Sequence, residues 1–305
     1  MSHVVLIGAL PQSLINFRGD LLKALVAAGH KVTAMAAEVD QEVVEQLADI
    51  GVDFRAYTVQ RNGLNPIKDL RTYLDLRSTL HELKPEVVLT YTVKPVIWGG
   101  LALKGMPIPR FYALVTGLGF AFQGDSFLRR MLTILVSRLY QVSLSRASKV
   151  IFQNPDNRNL FIERQIVGKD KSVLVNGSGV DPDRFTLTPL PNEGFVFLTI
   201  GRLLGEKGFR EYAKAAQIVK ASCPEAVFRL VGPEDSSPDG IPLAEIKEWV
   251  TKGWIEYLGE TKDVRPLISN SHIFVLPSYH EGMPRTVLEA MAMGRPILTT
   301  DVPGC

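Results

Sequence analysis

Short apolar runs alternate with amphipathic stretches twice over, and this constrains the 305-residue chain more than any other feature. Val4–Gly8, Lys31–Met35, Val52–Tyr57, Val87–Thr90 and Phe111–Val115 read as buried strands. Between them, Gly19–Ala28, Val43–Ile50 and Asp69–Leu83 carry apolar residues at helical spacing, with Gly29 and Gly51 as stops. Strands joined by helices of this length pair in parallel and are covered on both faces. Val150–Gln153 and Ser172–Val175 close the first set, and the turn-rich segment Thr188–Gly194 follows. The pattern then restarts. Phe195–Ile200, Val227–Val231, Ile255–Leu258, Ile273–Pro277 and Pro296–Thr299 read as strands, with helices over Phe209–Ala221 and Pro284–Met293. The expectation is an α/β chain of two Rossmann-like parallel-sheet domains, residues 1–190 and 191–305.

Composition narrows the function classes. With 34 Lys and Arg against 32 Asp and Glu, the net charge of +2 gives no dominant basic face for nucleic acid. Cys223 and Cys305 have neither disulfide nor metal-ligand spacing, so a reduced compartment and no bound metal are expected. The first apolar run is too short, and lacks the basic lead, for a signal peptide. No apolar run approaches the roughly 20 residues of a membrane span, and the protein is expected in the cytoplasm.

Two motifs in the second half carry chemistry. Gly201-Arg202-Leu203-Leu204-Gly205-Glu206-Lys207-Gly208 follows a strand and precedes a helix, where open α/β sheets bind ligands. Arg202 offers a planar fork and Lys207 a compact charge to one diphosphate. Taken alone, the loop reads as well as an exposed basic turn. In Glu281-Gly282-Met283-Pro284-Arg285-Thr286-Val287-Leu288-Glu289, Pro284 suits a first helical turn. This helix is expected to start just after Glu281, with Glu289 two turns along and its N-terminal amides facing phosphate. An isolated glutamate pair of this kind is more often a helix-end charge and a solvated side chain.

Together these motifs resemble the retaining glycosyltransferases of family 4, whose GT-B fold sets two Rossmann-like domains across a cleft. The strings Asn176-Gly177-Ser178-Gly179-Val180-Asp181 and Phe274-Val275-Leu276-Pro277-Ser278 fit as well. The resemblance implies that Arg202 and Lys207 hold the donor diphosphate, Glu281 the donor sugar and Glu289 the ribose. Gly201, Gly282, Met283 and Pro284 would line the donor site. It implies a UDP-sugar donor, no metal or other cofactor, and front-face attack with a donor phosphate oxygen taking the acceptor proton.

The first half resembles a bacterial subgroup that extends undecaprenyl-diphosphate-linked sugars in capsule, O-antigen or N-glycan assembly. In motif it is similar to that subgroup's N-acetylgalactosaminyltransferases acting on diacetylbacillosaminyl-diphospho-undecaprenol. Phe17-Arg18, Thr90-Tyr91-Thr92-Val93-Lys94-Pro95, Gly99-Gly100 and Val115-Thr116-Gly117-Leu118-Gly119 carry this likeness. Arg18 and Lys94 would meet the acceptor diphosphate, and Gly117 and Gly119 would let backbone approach it. Solvated cations and tight turns explain the same residues equally well. From Ser126 to Asn154 there is no acidic residue, while Arg129, Arg130, Arg138, Arg146 and Lys149 are basic. Within a helix over 127–149, Phe127, Leu128, Met131, Leu132, Ile134, Leu135, Leu139 and Val142 share a side that also holds Arg138, opposite Arg129, Arg130, Thr133 and Ser137. That side either docks on an anionic membrane, with Arg129, Arg130 and Arg138 beside it, or faces the core.

Family members continue past Asp301-Val302-Pro303-Gly304, so the second domain is expected to be cut short, with the donor-site residues up to Glu289 present and turnover left open. The expected function is transfer of a sugar, with an N-acetylhexosamine expected, from a UDP-sugar to a polyprenyl-diphosphate-linked glycan at the inner face of the plasma membrane. A truncated fragment that binds nucleotide sugar, membrane or a partner without turnover is the alternative. A nucleotide-sugar 2-epimerase would need more acid/base residues. A dehydrogenase would need Gly-x-Gly-x-x-Gly after the first strand, which reads Gly8-Ala9-Leu10-Pro11-Gln12.

Overall fold

Every pairing between strands among the described residues is parallel, as helical crossovers require. The computed structural model describes all residues except 61, 62, 64, 108, 109, 119–121 and 123–126, and the side chains of 128 and 129. Two units emerge, Met1–Asn176 and Gly177–Cys305.

The first unit contains β1 (His3–Ile7), α1 (Pro11–Asn16), α2 (Gly19–Ala27), β2 (Lys31–Ala36), α3 (Gln41–Asp49), β3 (Val52–Ala56), α4 (Pro66–Leu83) and β4 (Val87–Tyr91). A π-helical turn, Pro95–Gly99, runs into the short α5 (Gly100–Ala102). Then come β5 (Arg110–Val115), α6 (Phe127–Leu144), β6 (Lys149–Phe152), α7 (Pro155–Glu163) and β7 (Ser172–Leu174). The sheet order is β3-β2-β1-β4-β5-β6-β7. Alternate strand residues feed opposite cores, as a period of two dictates. Val5 and Ile7 pack with Leu76, Leu80, Val136 and Tyr140, whereas Leu6 packs with Leu14, Leu22 and Leu47.

The second unit contains β8 (Phe195–Ile200), α8 (Phe209–Ser222), β9 (Ala226–Val231), α9 (Leu243–Thr251), β10 (Glu256–Tyr257), α10 (Arg265–Ser269), β11 (Ile273–Leu276), α11 (Arg285–Ala292) and β12 (Ile297–Thr299). Its order, β10-β9-β8-β11-β12, again reverses beside the first strand. Helices α8 and α9 cover one face through Phe209, Ala216, Ile246 and Trp249. Ile268, Ala290 and Met293 cover the other.

Two helix bounds are corrected, and the unit division differs in place from the expected boundary. The units divide between Asn176 and Gly177, ahead of the expected boundary at 190. Phe185 is buried in the second unit's core, and the buried Arg295 guanidinium donates to the carbonyls of Thr188 (3.1 Å) and Pro189 (3.0 Å). The turn-rich segment is therefore tied to the domain that follows it. The helix expected over 127–149 ends at Leu144, because Lys149 already pairs in the sheet with Tyr112. The helix expected from Pro284 starts at Arg285, with Pro284 as its N-cap.

Helices α1, α7, α9 and α10 were not read from the sequence. Each is short or of weak apolar period, although Pro11 and Pro155 stand at first-turn positions that favour a helix start.

Candidate functional site

The second sheet reverses direction at β8 and β11, which are hydrogen-bonded neighbours. Their carboxyl ends lead into the two motif loops, so the topology alone brings the motifs together. Gly201–Leu204 continues from β8 into a single 3₁₀ turn, Gly205–Lys207, and Gly208 caps α8. From β11 the chain passes through Pro277 and Ser278 to Glu281. The loops are cross-tied where the Tyr279 amide donates to the Glu206 carbonyl at 2.9 Å.

At the centre, Lys207 Nζ donates to Glu281 Oε1 at 2.5 Å. Ser278 Oγ donates to the same oxygen at 2.7 Å. Only 18% of the Lys207 side chain and 11% of the Glu281 side chain are exposed. A charge pair this far out of water needs its hydrogen bonds to hold it, and the serine supplies one. The Glu281 amide in turn donates to the Pro303 carbonyl at 3.0 Å.

Arg202 lies on the same loop but is engaged elsewhere. Its Nη1 donates to Asp235 Oδ2 at 2.6 Å. Burial pushes the Asp235 carboxyl up. Hydrogen bonds from Ser237 and the Arg202 charge outweigh that and hold it below the usual carboxylate value. Asp235 carries no motif signature, and sequence reasoning missed it. An Asp in the loop after β9, the neighbour of β8, was the one available hint.

Glu289 sits on the second turn of α11, four residues after Arg285, and pairs with it at 3.0 Å. The expected two-turn separation from the helix start becomes about one, since the helix begins at Arg285. Glu281 precedes that start by four residues, so it lies in the loop and not at the mouth of the helix. Burial raises the Glu289 carboxyl above its ordinary value, opposed by the charges of Arg285 and Arg184. Met283 lies over Gly177, where a side chain in place of the glycine hydrogen would overlap its Cγ. Gly201 approaches Phe209, whose ring edge would be 3.2 Å from an added Cβ. Gly282 lies in the same loop, and its carbonyl faces Gly304.

The first-unit candidates do not gather in the same manner. Arg18 is buried, with its guanidinium 4.9 Å from the centroid of the Tyr91 ring at the end of β4. Burial pushes the Tyr91 hydroxyl up to about 12, while Ser13 and Arg18 oppose it. Lys94, expected to be a phosphate-binding cation, donates to Asp69 Oδ1 at 2.8 Å, and both side chains are largely out of solvent. Gly117 follows β5 with no atom within 4 Å of an added Cβ. Gly119 lies outside the described residues.

Helix α6 meets each of the two sequence readings in part. Thr133, Val136, Ser137, Tyr140 and Leu144 are buried, whereas Phe127, Met131, Ile134, Leu135 and Val142 are exposed. Phe127 is 75% and Ile134 62% exposed. These five apolar residues face outward, while Leu132 and Leu139 from the same arc pack against the core beside the buried Val136, Tyr140 and Leu144, so the arc divides between the two readings. Arg130 and Arg138 are exposed on the same helix, and the Arg129 side chain lies outside the described residues. Among the described residues, no helix is long and apolar enough to cross a membrane.

Comparison with known proteins agrees with this architecture. Residues 16–177 match the model of a glycosyl transferase 4-like domain, and residues 194–305 that of glycosyl transferases group 1. The chain is 32% identical to the N,N'-diacetylbacillosaminyl-diphospho-undecaprenol alpha-1,3-N-acetylgalactosaminyltransferase of Campylobacter jejuni, over 96% of the chain and 79% of that protein. It is 28% identical to the UDP-Gal:alpha-D-GlcNAc-diphosphoundecaprenol alpha-1,3-galactosyltransferase of Escherichia coli, over 81% of the chain and 65% of that protein. Among solved structures, sucrose-phosphate synthase from Thermosynechococcus elongatus superposes with a TM-score of 0.76 at 18% identity, covering 100% of this chain and 82% of that one. These neighbours share the two-domain GT-B fold.

Proposed function

The chain belongs to the group 1, 4-like glycosyltransferase family, and from that premise we propose that it moves an N-acetylhexosamine from a UDP-sugar to a polyprenyl-diphosphate-linked glycan, with retention of configuration. The observation that carries this reading is the Lys207–Glu281 pair, which joins the loops after the adjacent strands β8 and β11, with Arg202 on the first of those loops. Both relatives above are named for lipid-diphosphate acceptors, one taking N-acetylgalactosamine and the other galactose from UDP-Gal. Those names support the proposed acceptor class, and the second also supports UDP as the donor nucleotide.

In this reading the donor diphosphate meets Arg202 and Lys207. Their charge stabilises the nucleotide as it departs, where a metal would act in other sugar transferases. Glu281 accepts hydrogen bonds from donor-sugar hydroxyls, and Glu289 from the ribose. Gly201, Gly282, Met283 and Pro284 shape the surrounding loops. The acceptor hydroxyl attacks the anomeric carbon on the face the diphosphate leaves. A donor phosphate oxygen takes the proton, so the protein needs no separate base. Arg18, Lys94, Gly117 and Gly119 belong to the acceptor side. Lys94 must exchange Asp69 for phosphate to take part.

The direct test is transfer from UDP-GalNAc and UDP-GlcNAc to a polyprenyl-diphosphate-linked sugar, followed by the anomeric configuration of the product. Transfer with an α-linkage from an α-linked donor supports the reading in full. UDP binding without transfer favours a non-catalytic binding protein, and an inverted product overturns the stereochemical part.

The same proposal brings the exposed arc of α6 onto the cytoplasmic leaflet of the plasma membrane. Its apolar residues enter the headgroup boundary, and Arg130 and Arg138 meet anionic lipid, with Arg129 beside them. Vesicles containing phosphatidylglycerol are expected to co-sediment the protein, and about 0.5 M salt to release much of it, since the Debye length falls to a few ångströms. Replacing Met131 and Ile134 with serine should abolish sedimentation without changing UDP affinity. Equal recovery on neutral and anionic vesicles removes the electrostatic part.

A further inference from the structure

We infer that Asp235 is a positioning residue that sets Arg202 for the donor diphosphate. This rests on the donor-site reading above and adds a residue that reading lacks.

The pair is asymmetric. Only 10% of the Asp235 side chain is exposed, against 50% for Arg202. A fixed buried carboxylate therefore holds a cation that reaches into solvent at the end of β8. Asp235 is itself fixed, because its Oδ1 accepts the Ser237 amide at 2.9 Å while Oδ2 takes Arg202. The bond to Arg202 runs through Nη1 alone, one corner of a fork with five N–H donors. That orients the guanidinium and leaves it the capacity to bridge phosphate oxygens.

The segment carrying Asp235 also shapes the rest of the phosphate loop. The Leu203 amide donates to the Pro233 carbonyl at 2.9 Å, and the Ile241 amide returns to the Leu203 carbonyl at 2.8 Å. Asp239 receives the Gly205 amide on its carbonyl at 2.8 Å and the Glu206 amide on Oδ2 at 2.7 Å. The two backbones approach so closely that a Cβ on Gly232, at φ +148°, would overlap the Gly201 carbonyl oxygen. Asp235 thus stands on the element that fixes the loop and acts on the one loop cation that solvent reaches freely. An Arg without such an anchor samples many rotamers and must surrender them on binding. Supporting groups of this kind ordinarily hold functional side chains to their working geometry.

The test is a double-mutant cycle on UDP affinity, read by calorimetry for the 305-residue chain, Asp235→Ala, Arg202→Ala and the double variant, with thermal melts alongside. Asp235→Ala is expected to weaken UDP binding about tenfold in the parent, a coupling size usual for contacting residues, and less than about twofold once Arg202 is alanine. Asp235→Asn, which keeps one acceptor oxygen for a neighbour, should lie between and covers the case in which the alanine variant does not fold. Equal losses in both backgrounds would make Asp235 merely structural and overturn the inference. Tighter UDP binding by Asp235→Asn would make it a competitor of the phosphate and also overturn it. If the parent chain binds no UDP, the donor-site reading falls first and takes this inference with it. The two failures are thereby distinguished.

Discussion

Lys207→Ala is expected to lower sugar transfer by about 10²–10³-fold, the loss typical when one preorganised donor to a developing negative charge is removed. Lys207 is mostly out of solvent, so its charge acts in a medium that screens it poorly. Its partner explains why that charge is tolerated there. Glu281 Oε1 accepts both Lys207 and Ser278, and deleting the carboxylate leaves a cation without its counter-ion. Glu281→Ala should therefore cost both turnover and thermal stability, whereas Glu281→Gln, which retains an acceptor oxygen, should cost mainly turnover. Steady-state rates of UDP release, with melting curves for each variant, separate the two effects. Transfer at the parental rate by Lys207→Ala would remove it from the donor site.

Much of this was legible in the sequence, and for a physical reason. Parallel strands are buried on both faces, so Val4–Ile7 stands out as an unbroken apolar run and Phe195–Ile200 as one interrupted only by the buried Thr199. Parallel pairing of β8 with β11 then carries residues 201–208 and 277–281 to the same end of the sheet. The pairings were less legible. Lys207 meets Glu281 across a separation of 74 residues, and Arg202 meets Asp235 across 33. Loop backbone decides such contacts, and no periodicity encodes it.

Helix α6 was ambiguous because the wheel shows an apolar arc but not which side the sheet takes. Thr133, Ser137 and Ser143 lie inward. There α5 sits closely enough that a Cβ on Gly100 would come within 2.8 Å of the Ser143 carbonyl oxygen. At Ser143 this close approach leaves room for a small side chain only, while Val136, Tyr140 and Leu144 supply the apolar packing on the same face. Lys94 was read as an acceptor cation from its motif. Its counter-ion Asp69 lies on the first turn of α4, where sequence reading had it only as a helix start.

Gly208→Ala is expected to destabilise the second unit by about 3 kcal/mol. The cause is backbone and not lost packing, since glycine has no side chain to lose. Gly208 adopts φ +69°, which costs an L-residue on the order of 1 kcal/mol or more. Its added Cβ would also overlap the Pro277 carbonyl oxygen, and neither group can rotate away. The two site loops touch at this point. Gly208 directly follows Lys207, and Pro277 precedes Ser278, both of which bond Glu281. Relief of the overlap must push the loops apart, so the substitution should lower the melting temperature by roughly 10 °C, at about 2–4 °C per kcal/mol for a unit of this size, and weaken transfer in the folded fraction. Gly253→Ala is the matched control. It has a similar φ of +70° but nothing within 4 Å of its added Cβ, so it carries the conformational cost alone. A melting temperature equally lowered by both changes would assign the whole effect to backbone conformation and leave the contact between the loops without energetic weight.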